Sequence, residues 1–184
     1  DTAQNGPASC GFIAGVLSVL MCKGSCLWVS TRSSIFPPAL QAFGILPDQV
    51  VFIDVKTDKD ALWIIEEGLK CETLGAVVGE IRELGFTESR RLQLAVEQSR
   101  VTGFIHRYGS TATNVACVSR WRIKPSASDA EPIVPGVGFA SWDVELLKIR
   151  NGKTGRWNVE WNPEGFKIYH QPSATHHIPA RKTG

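Results

Sequence analysis

No stretch of this 184-residue chain reaches the roughly 18–20 consecutive apolar residues that a bilayer-spanning helix needs. The apolar run from Phe12 to Met21 has the length of a signal-peptide core. No basic residue precedes it, however, and no small-residue cleavage pattern follows. Net charge is only +2, too little to argue for nucleic-acid binding on composition alone. The five cysteines are an odd number, and Cys22 and Cys26 stand four apart without the second Cys or His pair that completes a zinc ribbon. The four histidines, His106, His170, His176 and His177, show no ligand spacing apart from the adjacent pair in the tail. No metal site is read from them. These shortages exclude a helical membrane protein and a disulfide scaffold. They leave reduced, buried cysteines in a cytoplasmic protein.

What the chain does contain is ordinary for a globular protein: 43% hydrophobic and 21% charged residues. Its length fits one domain, here 1–169, followed by a flexible basic tail, 170–184. There is no internal repeat. Phe12–Cys22 is apolar nearly all round and predicts a buried helix. Cys26–Ser30, Val50–Val55, Leu74–Ile81 and Val101–His106 predict buried strands. Between them, Pro38–Phe43, Asp60–Cys71 and Thr87–Ser99 predict helices. Strand alternating with helix is the rhythm of a parallel sheet with right-handed crossovers. The pattern then changes. Ala116–Ile123, Ser141–Lys148 and Arg156–Trp161 alternate as strands, the last two joined by a hairpin turn at Asn151–Gly155. Phe166–Tyr169 adds an edge strand. The predicted class is α/β: a mostly parallel sheet with helices on both faces, extended by C-terminal antiparallel strands.

Gly6 and Gly11 frame the stretch Gly-Pro-Ala-Ser-Cys-Gly, with Phe12 and Ile13 next. That is the spacing of a phosphate-binding loop, which needs Lys and then Ser or Thr after its second glycine. Lys would reach the terminal phosphates, and the hydroxyl would ligate magnesium. Phe12 and Ile13 do neither. A strand should feed such a loop, so an additional segment is expected before Asp1. In this architecture an acid at the end of a central strand holds the metal. At the end of the Leu74–Ile81 run stands Gly79 in that place. Glu80 comes next, a step that turns a side chain to the other face of a strand. A second acid, expected to position water after Cys26–Ser30, is replaced by Thr31-Arg32. Either the chain never was a nucleotide fold, or it is one that has lost its chemistry. On both readings it is not an ATPase and carries no cofactor. A divergent but active nucleotide enzyme is the third reading.

Several stretches, in order and spacing, carry a resemblance. They include Glu66-Glu67-Gly68-Leu69-Lys70-Cys71, Gly75-Ala76-Val77-Val78-Gly79-Glu80, Ser89-Arg90-Arg91-Leu92-Gln93-Leu94-Ala95-Val96-Glu97 and Val101-Thr102-Gly103-Phe104. Ser119-Arg120-Trp121-Arg122, Trp142-Asp143-Val144-Glu145-Leu146-Leu147-Lys148 and Trp157-Asn158-Val159-Glu160-Trp161 complete the set. Over roughly residues 7–161 the chain resembles the ImuA family, RecA-like accessory proteins of inducible mutagenesis in bacteria. The resemblance implies a RecA-like, P-loop-type core. It also implies a role in error-prone translesion DNA synthesis during the SOS response. The implied partners are ImuB, an inactive relative of the Y-family polymerases, an error-prone replicative-type polymerase, and RecA. The family also resembles SulA, which implies an alternative: a cell-division inhibitor that binds FtsZ.

Candidate contacts to DNA or partners follow from charge. Arg90 and Arg91, placed after Ser89 near a helix start, suit holding a phosphate, and equally a solvated first turn of a helix. Arg120 and Arg122 flank Trp121, a pattern suited to stacking bases and tracking a backbone, and equally to a half-buried strand. Lys148 and Arg150 lie where RecA carries basic residues that reach across its filament interface. The short segments Arg82–Thr87 and Arg107–Asn114 argue against RecA-style DNA loops, so DNA contact is expected to be weak. Arg181 and Lys182 in the tail are the remaining candidates.

Overall fold

The structure, a computed structural model, describes residues 6–21, 24–32, 35–109, 114–127 and 138–170. Two four-stranded sheets form the framework. The first is parallel, with strands β1 (Ser25–Ser30), β2 (Val50–Asp54), β3 (Leu74–Ile81) and β4 (Thr102–Arg107) in the order β2-β1-β3-β4. The second is antiparallel, with β5 (Ser119–Pro125), β6 (Ser141–Ile149), β7 (Gly155–Asn162) and β8 (Gly165–His170) in sequence order. The expected extension of one sheet is therefore corrected to two separate sheets. The β6–β7 hairpin turns where predicted, with Asn151 in the left-handed region at φ 58°.

Helices cover both faces of the parallel sheet, as the alternation required. On one face, α2 (Asp58–Lys70) and α3 (Phe86–Ser99) bury Ala61, Ile65, Leu69, Leu92 and Ala95 against Leu27, Val29, Val77 and Ile81. Thr57 caps α2 by accepting the Asp60 amide at 3.2 Å. On the other face, α1 (Gly6–Leu20) and a 3-10 segment (Pro37–Phe43) bury Cys10, Ala14, Leu17 and Leu40 against Cys26, Trp28, Ala76 and Val78. The 3-10 turn replaces the expected short α-helix there.

α1 carries the largest correction. The stretch that looks like a phosphate loop is the first half of a continuous helix. One face of α1 supplies the core just described. The other meets the antiparallel sheet, where Ala8 and Phe12 pack with Trp142, Trp161 and Phe166. Gly11 and Gly15 serve this contact. A Cβ at Gly11 would stand 3.2 Å from Trp142, and one at Gly15 only 2.5 Å from Phe166. Both glycines let a helix and a sheet approach closely, which is a packing role.

The cysteines divide differently from expectation. Cys10 and Cys26 are buried, but Cys71 is exposed and Cys117 half-buried. Burial pushes the Cys26 thiol up to about 12. Cys71 sits at the C-cap of α2, where the Thr73 side chain, 3.2 Å away, and then its backbone N–H lower the thiol pKa. A lowered pKa means thiolate is present at lower pH than for an ordinary thiol. Under substoichiometric iodoacetamide at neutral pH, Cys71 is expected to be alkylated well ahead of Cys10 and Cys26, as read by peptide mass spectrometry.

Candidate functional site

In an open parallel sheet, the crevice that binds ligands lies outside the carboxyl ends of the strands where the order reverses. Here β1 connects outward to β2, and β3 connects the other way to β4, so the reversal falls between β1 and β3. The residues at that point are Ser30, Thr31 and Arg32 from the end of β1, Glu80 from β3, and His106 and Tyr108 from the end of β4. Alternation along β3 sends Val77, Gly79 and Ile81 toward α2 and Ala76, Val78 and Glu80 toward α1. The two positions do point opposite ways, as reasoned from sequence. The one that faces α1 is Glu80, so Gly79 does not occupy the site of an acid on that side.

Glu80 is fully buried and held from several directions. Trp28 Nε1 donates to its Oε1 at 2.7 Å. Its Oε2 lies 3.5 Å from His106 Nδ1, 3.7 Å from Cys10 Sγ and 3.9 Å from Arg32 Nε. Cys10 Sγ is 3.8 Å from His106 Nδ1. Arg32 stacks over the Tyr108 ring, 4.3 Å from its centroid, and Tyr108 Oη is 2.7 Å from Thr31 Oγ1. A buried carboxylate without such partners would cost several kcal/mol. One thiol, one carboxylate and one imidazole, all within 4.8 Å of one another, form the one group of potential metal ligands among the described residues. Sequence reasoning missed it because its members are 70 and 96 residues from Cys10. The only local signal was a Glu inside an otherwise apolar strand.

A second feature gathers some of the basic candidates. Phe86, Arg90, Gln93, Cys117, Lys148 and Arg150 line a surface groove of about 360 Å³ between α3 and the β5–β6 end of the antiparallel sheet. Phe86 is 61% exposed at its rim. Arg90 donates to Gln93 Oε1 at 2.9 Å, and Arg150 lies 3.5 Å from Glu97. Three cations thus line one groove, and one of them, Arg150, is paired with Glu97.

The other candidates do not converge. Arg91 turns to α2 and pairs with Glu66, so Arg90 and Arg91 do not share a phosphate. Ser89 is buried. Its hydroxyl donates to Phe86 O at 2.7 Å and accepts from the Ala116 amide at 2.8 Å, which ties α3 to the segment before β5. Arg122 pairs with Glu145 at 2.9 Å. A bulge between Arg120 and Trp121 interrupts the β5–β6 register, and Trp121 packs in a tilted arrangement against Phe12 and Trp157, each 6.4 Å away. Arg181 and Lys182 lie outside the described residues.

The arrangement defines an α/β protein: a parallel sheet covered on both faces, whose first helix is shared with an antiparallel sheet. The chain is 29% identical, over an alignment of 198 residues, to Protein ImuA of Caulobacter vibrioides, from strain NA1000 / CB15N and from strain ATCC 19089 / CIP 103742 / CB 15. Each alignment spans 98% of this chain and 81% of the relative. That likeness supports membership of the ImuA family. No family model matches the chain. Among solved structures, the crystal structure of SulA from Pseudomonas aeruginosa is similar over 54% of this chain and 86% of that one, at 18% identity and a TM-score of 0.47. Among the described residues, no helix is long and apolar enough to cross a membrane.

Proposed function

We propose that the chain is a non-catalytic scaffold of an error-prone translesion synthesis complex, acting in the ImuA/ImuB system of induced mutagenesis. Its contacts would be with an ImuB-like polymerase homologue, with RecA and with an error-prone replicative-type polymerase. The observation that carries this reading is the fate of the phosphate-loop frame. Its amides from Cys10 onward lie inside a helix, and Phe12 sits among the aromatics of the second sheet. The family likeness supports the mutagenesis context. The groove of Arg90, Lys148 and Arg150 is the favoured contact surface, because it gathers three basic side chains in one place while Arg91 and Arg122 pair separately with Glu66 and Glu145. Its chemistry suits an acidic protein segment, with DNA contact weak and secondary.

Triple substitution Arg90→Glu, Lys148→Glu and Arg150→Glu is expected to weaken capture of the ImuB-like partner about 100-fold or more, from repulsion at three rim positions. Binding between purified proteins, followed by interferometry, gives the measurement. No binding of the parent chain to ImuB-like or RecA-like partners would sink the reading. Slowed FtsZ polymerisation in its place would support the SulA-like alternative.

A further inference from the structure

The buried cluster at the ends of β1, β3 and β4 lies apart from the basic groove. We propose that Cys10, Glu80 and His106 bind a zinc ion that fastens helix α1 to strands β3 and β4.

Geometry carries the argument. Zinc bonds run to about 2.3 Å for thiolate, about 2.0–2.1 Å for imidazole and about 2.0–2.2 Å for carboxylate. At tetrahedral angles these lengths place ligand atoms roughly 3.4–3.6 Å apart. The three separations here are 3.5, 3.7 and 3.8 Å, each within about 0.3 Å of that requirement. The triangle is therefore nearly the right size before any ion enters. Burial holds it in shape: Glu80 is fully buried, Cys10 is 7% exposed, and the His106 side chain is 9% exposed.

The outer shell fits as well. A ligating carboxylate needs its other oxygen fixed, and the Trp28 N–H does this at 2.7 Å. The charges also balance. Without metal, the Cys10 thiol donates to Glu80. On binding, that proton is released, and one thiolate with one carboxylate neutralises a dication while the imidazole stays neutral. Thiolate among the ligands selects zinc over magnesium or calcium, which take oxygen. Three protein ligands leave a fourth position. Arg32, the least buried member of the group with its side chain 29% exposed, lies beside Glu80 and favours an anion or water there over a further cation.

The site would be a clip. Cys10 is on α1, while Glu80 on β3 and His106 on β4 are neighbours in one hydrogen-bonded sheet, so the ion would tie to that sheet a helix packed against it. The test is a cobalt titration of the full chain carrying Cys71→Ser, which removes the exposed thiol. One equivalent of Co²⁺ is expected to bring up a thiolate-to-cobalt charge-transfer band with tetrahedral visible absorption. Cys10→Ser should abolish that band, and His106→Gln should weaken Zn²⁺ affinity at least about 100-fold. Zn²⁺ should also raise the thermal midpoint of the parent and not that of Cys10→Ser. A band that survives Cys10→Ser, or no binding by the parent, overturns the proposal. Should either variant fail to fold, alkylation of the unsubstituted chain decides. Over a time course with excess iodoacetamide, long enough for the metal-free Cys10 to label, Zn²⁺ must slow its alkylation, and equal rates with and without the ion reject the site.

Discussion

Gly79→Asp should cost about 4–6 kcal/mol, as much as the whole stability of a marginal domain, rather than equip the chain to hold magnesium. The substitution puts back the acid that a phosphate-loop architecture would place there. The structure shows why it cannot be accommodated. Gly79 lies inside β3, paired with Val29 on β1 and Ile105 on β4. A Cβ at this position would stand 2.2 Å from Ile65 Cδ1 and 3.3 Å from Ile105 Cδ1. Relief requires α2 to move off the sheet or Ile65 to leave its rotamer, an overpacking cost of about 1–3 kcal/mol. The carboxylate would then face the apolar cluster of Ile65, Val77 and Ile81, for several kcal/mol more. Together these terms approach the whole stability of a typical domain, about 5–15 kcal/mol. Gly79→Ala separates them, since it keeps the steric term and should lose only about 1–3 kcal/mol. Urea denaturation followed by tryptophan fluorescence measures both. A folded Gly79→Asp chain with unchanged midpoint would mean that the two faces of β3 have been assigned the wrong way round.

That face assignment also marks where sequence reasoning stopped. Periodicity is local, so it found β3 at its true bounds, the amphipathic α2 and α3, and the hairpin at Asn151–Gly155. Which strands pair is decided by contacts far apart in the chain. After β4 the local pattern changes from strand–helix alternation to consecutive strands, but nothing local tells whether those strands extend the first sheet or form a second. The phosphate-loop frame misled for a related reason. Gly6 and Gly11 in a small-residue stretch fit a tight loop, and they fit equally a helix that Trp142 approaches closely at Gly11. Glu80 was visible as an acid in an apolar strand. Its partners Trp28, Cys10 and His106 come from three other elements, and only the fold brings them together. The basic candidates were legible as charges but not as a surface. Arg90, Lys148 and Arg150 share a groove, while Arg91 and Arg122 are drawn off by Glu66 and Glu145.

Phe12→Lys is the complementary restoration, and it should lower stability by about 2–4 kcal/mol while conferring no ATP binding. The Phe12 ring centroid lies 5.5 Å from Phe166, 5.9 Å from Trp142 in an edge-on arrangement, and 6.4 Å from Trp121. Each such aromatic pair contributes about 0.5–1.5 kcal/mol beyond its buried area. A fully buried Phe truncated to Ala loses about 3–5 kcal/mol. Phe12 is only partly buried, and a lysine stem can cover some of the same surface while its ammonium reaches water, so the expected loss is smaller. The ammonium gains nothing in exchange. Beyond the first four residues of a helix, every amide donates to the carbonyl four residues back. The amides from Cys10 onward are therefore occupied inside α1 and cannot cradle a phosphate. Ile13, the next residue, brings no hydroxyl for magnesium. The near-UV circular dichroism of the aromatic cluster should fall with the thermal midpoint, because the same ring links α1 to β5, β6 and β8. Calorimetry with ATP and magnesium should stay silent for both parent and variant. Magnesium-dependent heat from Phe12→Lys at undiminished stability would instead require the Gly6–Gly11 stretch to leave its helix and close around a phosphate, which would return the chain to the nucleotide-binding enzymes.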